Sequence, residues 1–346
     1  MSALTVVLLV QRSLLVSAAT NAPWSAIVIP SGSSASGELQ LFNPFNGVTQ
    51  LVAADALHLR AQHSSVAVAC AAHVVYVYSV THNTSSFQRF NANVNRTEQL
   101  APPLIAREHA SLVCLHDRAV YLCGGRTHGA TSCDVFDVRR RAWLRSQQVT
   151  GMPEHKFAHQ AVALGDSEIV LLGGYSSELL FETRTVLAFN VRERRWRKLP
   201  SMLDERTQFT ALATAANEIL ACGGGTLDLA SCELYRSTEN SWLRMAPMHN
   251  GRFDHGMVLF AGSIFIVGGF CGSGCASDGH FQLLDTVERY SIANNRSRLL
   301  AQRLPRATRG CAAVSVQTSP IVYYSSTSRS SRVVQHFSTG TLDKAK

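Results

Sequence analysis

No stretch of this sequence reaches the roughly 18 to 20 unbroken apolar residues that a membrane-spanning helix requires, so no membrane partner is expected. Charge is also scarce. Asp, Glu, Lys and Arg make up 16% of the chain against 46% apolar residues, a balance that excludes a disordered polymer and predicts a large buried core. No phosphate loop, nucleophile elbow or zinc-protease helix is present, so nothing selects an enzyme class or a cofactor. The basic clusters, Arg139 to Arg141 and Arg192, Arg194, Arg195, Arg197 and Lys198, are not accompanied by an interleaved aromatic platform, Trp196 being a single ring among them, which argues for solvated hairpin tips and against nucleic acid.

The cysteines lack zinc-finger pairing as well. There are nine, an odd number, scattered from Cys70 to Cys311, which suits a reducing compartment and a cytoplasmic protein better than a disulfide framework. Cys123 with Cys133 and Cys222 with Cys232 repeat one ten-residue step, read as a consequence of repeat geometry before disulfide or redox chemistry. Cys271, Cys275, Asp278 and His280 share a long loop, but the spacing is loose for zinc and a plain Gly-rich loop is the expectation. A secreted alternative rests on the sequons at Asn83, Asn95 and Asn295 and on the apolar residues Ala3 to Val10. Residues 1–22 are accordingly read as an apolar first strand or leader, and 23–346 as the main domain.

What the sequence does have is a repeat. Glycine pairs close hydrophobic runs at Gly124-Gly125, Gly173-Gly174, Gly224-Gly225 and Gly268-Gly269, with first glycines 49, 51 and 44 residues apart. An aromatic residue follows each pair at Phe136, Phe189, Tyr235 and Tyr290. Trp143, Trp196 and Trp242 stand seven residues after the first three of these. Paired glycines suit a strand end where the backbone must bend or pass close to a neighbour, and the aromatics supply packing between sheets that cannot bury both faces alone. Four short strands fit in each unit.

These residues resemble the Kelch repeat, most closely that of the BTB-Kelch ubiquitin-ligase adaptors, and the resemblance covers residues 60 to 300. It implies an all-β fold, a Kelch-type β-propeller of four-stranded antiparallel blades. The series Phe42, Phe90, Phe136, Phe189, Tyr235, Tyr290 and Phe337, with steps of 48, 46, 53, 46, 55 and 47, counts seven third strands, and the expectation leans to seven blades. In the adaptors the number is usually six, with a C-terminal strand completing the first blade. Arg309 to Val316 would supply that strand here. Ile321 to Phe337 would then be surplus.

The first residues of the innermost strands are read as His63, His109, His159, Phe209, His255 and Arg309, most with a basic residue three positions earlier at Arg60, Lys156, Arg206, Arg252 or Arg306. The resemblance makes this edge, with loop positions Arg126, Tyr175, Thr226 and Phe270, a partner-binding face. The residues expected to grip a protein partner, an acidic peptide or loop, are His63, His109, Arg126, His159, Tyr175, Arg206, Phe209, Arg252, His255, Phe270 and Arg309. The competing reading makes the repeated histidines structural. By resemblance the chain is a non-enzymatic interaction module that selects substrates for a cullin-RING ubiquitin ligase, without the BTB and BACK regions, or an actin-associated scaffold. Copper oxidases and sugar epimerases on related propellers are the enzymatic alternative, which no residue pattern here selects.

Overall fold

The computed structural model describes residues 24–30, 38–42, 49–53, 65–70, 74–81, 84–91, 96–126, 131–144, 149–176, 178, 180–225, 229–272, 282–305, 307 and 313–318. Blade 1 contains β1 (Trp24–Pro30), β2 (Glu38–Phe42) and β3 (Thr49–Ala53), and blade 2 contains β4 (Ser65–Ala69), β5 (Val74–Thr81), β6 (Thr84–Asn91) and β7 (Arg96–Leu100). Blade 3 follows with β8 (Ser111–Leu115), β9 (Ala119–Cys123), β10 (Cys133–Asp137) and β11 (Ala142–Trp143). After the short lead-in β12 (Lys156–Phe157), blade 4 runs through β13 (Gln160–Leu164), β14 (Glu168–Leu172), the loop strands β15 (Tyr175–Ser176) and β16 (Phe181–Glu182), β17 (Val186–Asn190) and β18 (Arg195–Leu199). Blade 5 is β19 (Thr210–Ala215), β20 (Glu218–Cys222), β21 (Cys232–Arg236) and β22 (Ser241–Met245). Blade 6 is β23 (Gly256–Phe260), β24 (Ser263–Val267), the loop strands β25 (Phe270–Cys271) and β26 (Gln282–Leu283), β27 (Thr286–Ser291) and β28 (Arg296–Arg303).

The last strand settles the blade number. β29 (Val314–Thr318) adds to β1 in antiparallel register, with Ala26 opposite Val316, so the first sheet has the order β29-β1-β2-β3. The innermost strands β29, β4, β8, β13, β19 and β23 then touch one another in turn, and β29 touches both β23 and β4. The ring closes with six blades. The count of seven is thereby corrected to the six-bladed closure, with the final strand starting at Val314 rather than at Arg309. Ala3 to Val10 and Ile321 to Phe337, the proposed sources of a seventh blade, lie outside the described residues.

Burial follows from stacking sheets face to face. The second strands β9, β14, β20 and β24 are buried at every residue but the first, because neighbouring blades cover both of their faces. The outermost strands β18 and β22 are mostly exposed and bury only their last residues, Leu199 and Met245. Each of the three repeat tryptophans lies directly opposite its aromatic partner, Phe136 with Trp143, Phe189 with Trp196 and Tyr235 with Trp242, at ring separations of 5.4, 5.0 and 5.3 Å. Their indole nitrogens donate to Ala101, Thr150 and Pro200 carbonyls, in the segment leaving the preceding blade. Blade 6 has no Trp. There the Tyr290 hydroxyl itself donates to the Ala246 carbonyl at 2.7 Å, which makes the same interblade link with one residue.

Two sequence expectations change at the glycines and cysteines. In the run Gly223-Gly224-Gly225 the repeat pair is Gly223-Gly224, because the Gly223 amide donates to Ser231 as Gly124 does to Ser132. The ten-residue cysteine step places Cys123 opposite Cys133 and Cys222 opposite Cys232 in the strand register, with Cα separations of 4.0 and 4.2 Å, and both pairs are disulfides. A third, Cys70–Cys114, joins the inner-strand regions of blades 2 and 3, and Cys271 is also disulfide-bonded. Reduced thiols are therefore not what this fold contains at those positions, and Cys271 is not a free zinc ligand.

Candidate functional site

Each inner strand runs away from the end of the ring where the glycine pairs lie, so the lead-in segments and the loops after the glycines share one face. The lead-ins repeat as Arg107-Glu108-His109-Ala110, Lys156-Phe157-Ala158-His159, Arg206-Thr207-Gln208-Phe209 and Arg252-Phe253-Asp254-His255.

The first position of this pattern is buried in every copy: Arg107, Lys156, Arg206 and Arg252 have at most 2% of their surface exposed. Each head group donates to the carbonyl of the first glycine of its own blade, at Gly124 (3.0 Å), Gly173 (3.0 Å), Gly223 (2.6 Å) and Gly268 (2.9 Å). Each is also neutralised by an acid, Asp134, Glu154, Glu233 or Glu288 respectively. A buried charge is tolerated only when paired and hydrogen-bonded, and all four meet that condition. Burial pushes the Lys156 ammonium below the ordinary lysine value, while Glu154 works in the opposite direction. Arg206 and Arg252 thus fasten strands together and present nothing to a partner, which corrects their assignment to a binding ring.

The fourth position is buried too. His159, Phe209 and His255 fit under the glycine pairs of the preceding blades: a Cβ on Gly173 would stand 3.0 Å from the Phe209 ring, and one on Gly223 would stand 2.6 Å from the His255 ring. Both nitrogens of His159 and of His255 lack a hydrogen-bond partner among the described residues. Burial lowers both imidazoles to about 3, with the nearby Lys156 charge adding to the effect at His159 and the Arg252 charge at His255. These are neutral packing groups. At 3% exposure they offer a partner almost no surface, and among the described residues neither belongs to a group that could hold a metal ion.

The third position forms the mouth. His109, Ala158, Gln208 and Asp254 all have left-handed backbones, with φ of 54, 52, 51 and 50°, and form a chain of interblade hydrogen bonds. The amide of Ala158 donates to the His109 carbonyl (2.8 Å), Gln208 to Ala158 (3.1 Å) and Asp254 to Gln208 (2.8 Å). His109 therefore corresponds to Ala158 and not to His159, and it is exposed. Of the sequence-based site residues, His109, Arg126, Tyr175 and Phe270 keep accessible surface on this face; His63 and Arg309 lie outside the described residues, as does Thr226.

Sequence reasoning missed the second position. Phe157 packs at a tilt against Tyr175 at 5.1 Å and Phe253 edge-on against Phe270 at 5.2 Å, each pair joining a lead-in to a post-glycine loop and each half-buried. Phe181 and Leu180 stand beside Tyr175, 50% and 72% exposed, and the Tyr175 hydroxyl bonds the Leu180 carbonyl. The available signal was the residue after each basic lead-in position, aromatic in two copies.

Six blades, four of them with this buried lead-in pattern among the described residues, define a Kelch-type β-propeller. A model of the Kelch motif matches residues 156–203, from the Lys156 lead-in through the outer strand of blade 4. Mouse Kelch-like protein 35 is 32% identical over 145 residues, covering 42% of this chain and 23% of that protein. Kelch repeat-containing protein kel-10 of Caenorhabditis elegans is 26% identical over 207 residues, 58% of this chain and 34% of that one. The F-box/kelch-repeat protein At2g44130 of Arabidopsis thaliana is 30% identical over 156 residues, 43% of this chain and 37% of its own. The chain is thus similar to the Kelch-repeat region of Kelch-like proteins, and the motif and relatives support a protein-interaction module. It spans between about a quarter and about a third of the length of these relatives.

Proposed function

We propose that this propeller binds a protein partner on the face that carries the lead-ins and post-glycine loops. The observation that supports this reading is the division of labour within the lead-in pattern. First and fourth positions serve the fold, while Phe157, Tyr175, Phe253 and Phe270 remain half-exposed and Phe181 lies half open to solvent. Half-exposed aromatics with a mixed polar rim are the composition that dominates binding energy at protein interfaces.

The partner is best described as an extended loop with an apolar side chain that seats between the two aromatic pairs. Gln208 and Asp254 lie on the same hydrogen-bonded belt between them. Among the described residues of this face Arg126 is exposed, and it is the group offered to an acidic residue of the partner. As a finer reading, the Kelch-like and F-box/kelch relatives favour recognition of substrates for a ubiquitin ligase, ahead of an actin scaffold, with no chemistry performed by this chain. The disulfides favour a second reading, the same binding face in a protein of an oxidising compartment rather than of the cytoplasm.

Affinity capture with the intact chain tests the face directly. Tyr175→Ala combined with Phe270→Ala should reduce capture of specific partners at least tenfold, while Arg192→Glu at the opposite end leaves capture intact. Equal loss in both variants, or loss in neither, sinks the assignment.

A further inference from the structure

Resting on the second reading above, in which the propeller works in an oxidising compartment, we infer that Asn295 is an N-glycosylation site. Asn295-Arg296-Ser297 has the Asn-X-Ser pattern with X other than proline, the one recognised by the glycosylation machinery. Pattern alone is weak. The structure adds two independent observations.

The first is placement. Asn295 is the last residue of the turn joining β27 to β28 and is exposed. Its φ of 42° is a demand of the fold, since Arg141, Arg194 and Asn240 have φ of 56, 55 and 47° in the corresponding turns of blades 3, 4 and 5. Asparagine tolerates that conformation better than most residues. Only in blade 6, among these four turns, is the residue an Asn followed two positions later by Ser. The carboxamide oxygen of Asn295 accepts from the Ala246 amide at 2.6 Å. Its nitrogen, the atom to which a glycan is attached, donates to no described residue. β27 begins at the glycine end, where Thr286 accepts from the Gly268 amide, so its far tip points away from the proposed binding face. A glycan there is compatible with both the fold and that face.

The second is covalent. Cys70–Cys114, Cys123–Cys133 and Cys222–Cys232 are bonded, and Cys271 belongs to a further disulfide. Disulfides persist in the same secretory environment in which Asn-linked glycans are added and are rare where thiols are kept reduced. Placement and sulfur chemistry therefore point to one compartment from different residues.

The test is to pass the full chain through the secretory pathway of cultured mammalian cells behind a cleavable leader, and to map the peptide containing Asn295 before and after peptide-N-glycosidase in heavy-oxygen water. The wild type and Ser297→Thr should carry glycan at Asn295, converted to labelled Asp by the enzyme. Ser297→Ala and Asn295→Asp should carry none, and the latter retains an oxygen for Ala246. In the same sample, alkylation without reductant should leave Cys123, Cys133, Cys222 and Cys232 unlabelled. A secreted, cooperatively melting protein with unmodified Asn295 overturns the site. A chain that fails secretion, yet folds with all these thiols free when made in a reducing cytoplasm, overturns the oxidised fold on which the site rests.

Discussion

Arg206 and Glu233 form an ion pair of 2.8 Å in which neither side chain has any exposed surface. The same carboxylate accepts from the Leu203 amide at 2.6 Å, and Arg206 continues to the Gly223 carbonyl and Ser231 hydroxyl. Glu233 lies on β21 and Arg206 on the lead-in of blade 5, so the pair ties the entry of a blade to its third strand. Removing one member leaves the other charged and buried, a loss of about 3–5 kcal/mol. Arg206→Ala and Glu233→Ala should each lower the denaturation midpoint accordingly, and Arg252→Ala should behave likewise through Glu288. Exposed Arg192→Ala should change stability by less than about 0.5 kcal/mol. Arg206→Ala with unchanged stability and impaired partner capture would restore the surface role that its burial denies.

That pair also shows what the sequence conceals. The repeat was legible because glycine pairs and the aromatic-to-Trp step answer to local backbone demands, which recur in each blade. Arginine, however, is written the same way whether it meets solvent or a buried carboxylate, and only the register that brings Glu233 beneath Arg206 tells them apart. Ring closure was ambiguous for a similar reason, since pairing of β29 with β1 is a contact between chain ends that no local pattern encodes. The frame slip at His109 came from lining up histidines. Aligning the buried basic residues Arg107, Lys156, Arg206 and Arg252 puts Ala110 in the place of His159.

Phe209 occupies the position that His159 and His255 hold in their own blades, and it does so without polar atoms to satisfy. Each histidine leaves two buried nitrogens unpartnered among the described residues. An unsatisfied buried polar group costs on the order of 1–3 kcal/mol. His255→Phe and His159→Phe should therefore raise thermal stability, read as an increase in Tm by calorimetry. A fall in Tm for both would mean that the glycine pockets at Gly124 and Gly223 require the smaller ring.

The same histidines set an acid limit. Their folded values lie at about 3, well below the ordinary 6.5, so between those pH values the unfolded chain takes up protons that the folded chain refuses. Stability is unaffected by them above about pH 6.5 and falls as pH drops toward 3, by up to about 1.4 kcal/mol per pH unit for each histidine. Urea titrations from pH 7 to pH 4 should show this slope, and the double variant His159→Phe/His255→Phe should flatten it. An unchanged slope in that variant would assign the acid sensitivity to the carboxylates instead.

Cys70–Cys114 should matter more to stability than either hairpin disulfide. It closes a separation of 44 residues and links two blades, whereas Cys123–Cys133 and Cys222–Cys232 each close 10 within one sheet. Loop entropy alone makes the longer closure worth roughly 1 kcal/mol more. Cys222 and Cys232 are fully buried while Cys114 is partly exposed, so access to reductant follows the opposite order to chain proximity. Mild thiol treatment followed by alkylation should label Cys70 and Cys114 first and lower the Tm in that step. Cys70→Ala/Cys114→Ala should reproduce that lower Tm without reductant, and Cys222→Ala/Cys232→Ala should cost less. The reverse ranking would mean that the hairpin disulfides carry native-state packing that outweighs their short loops.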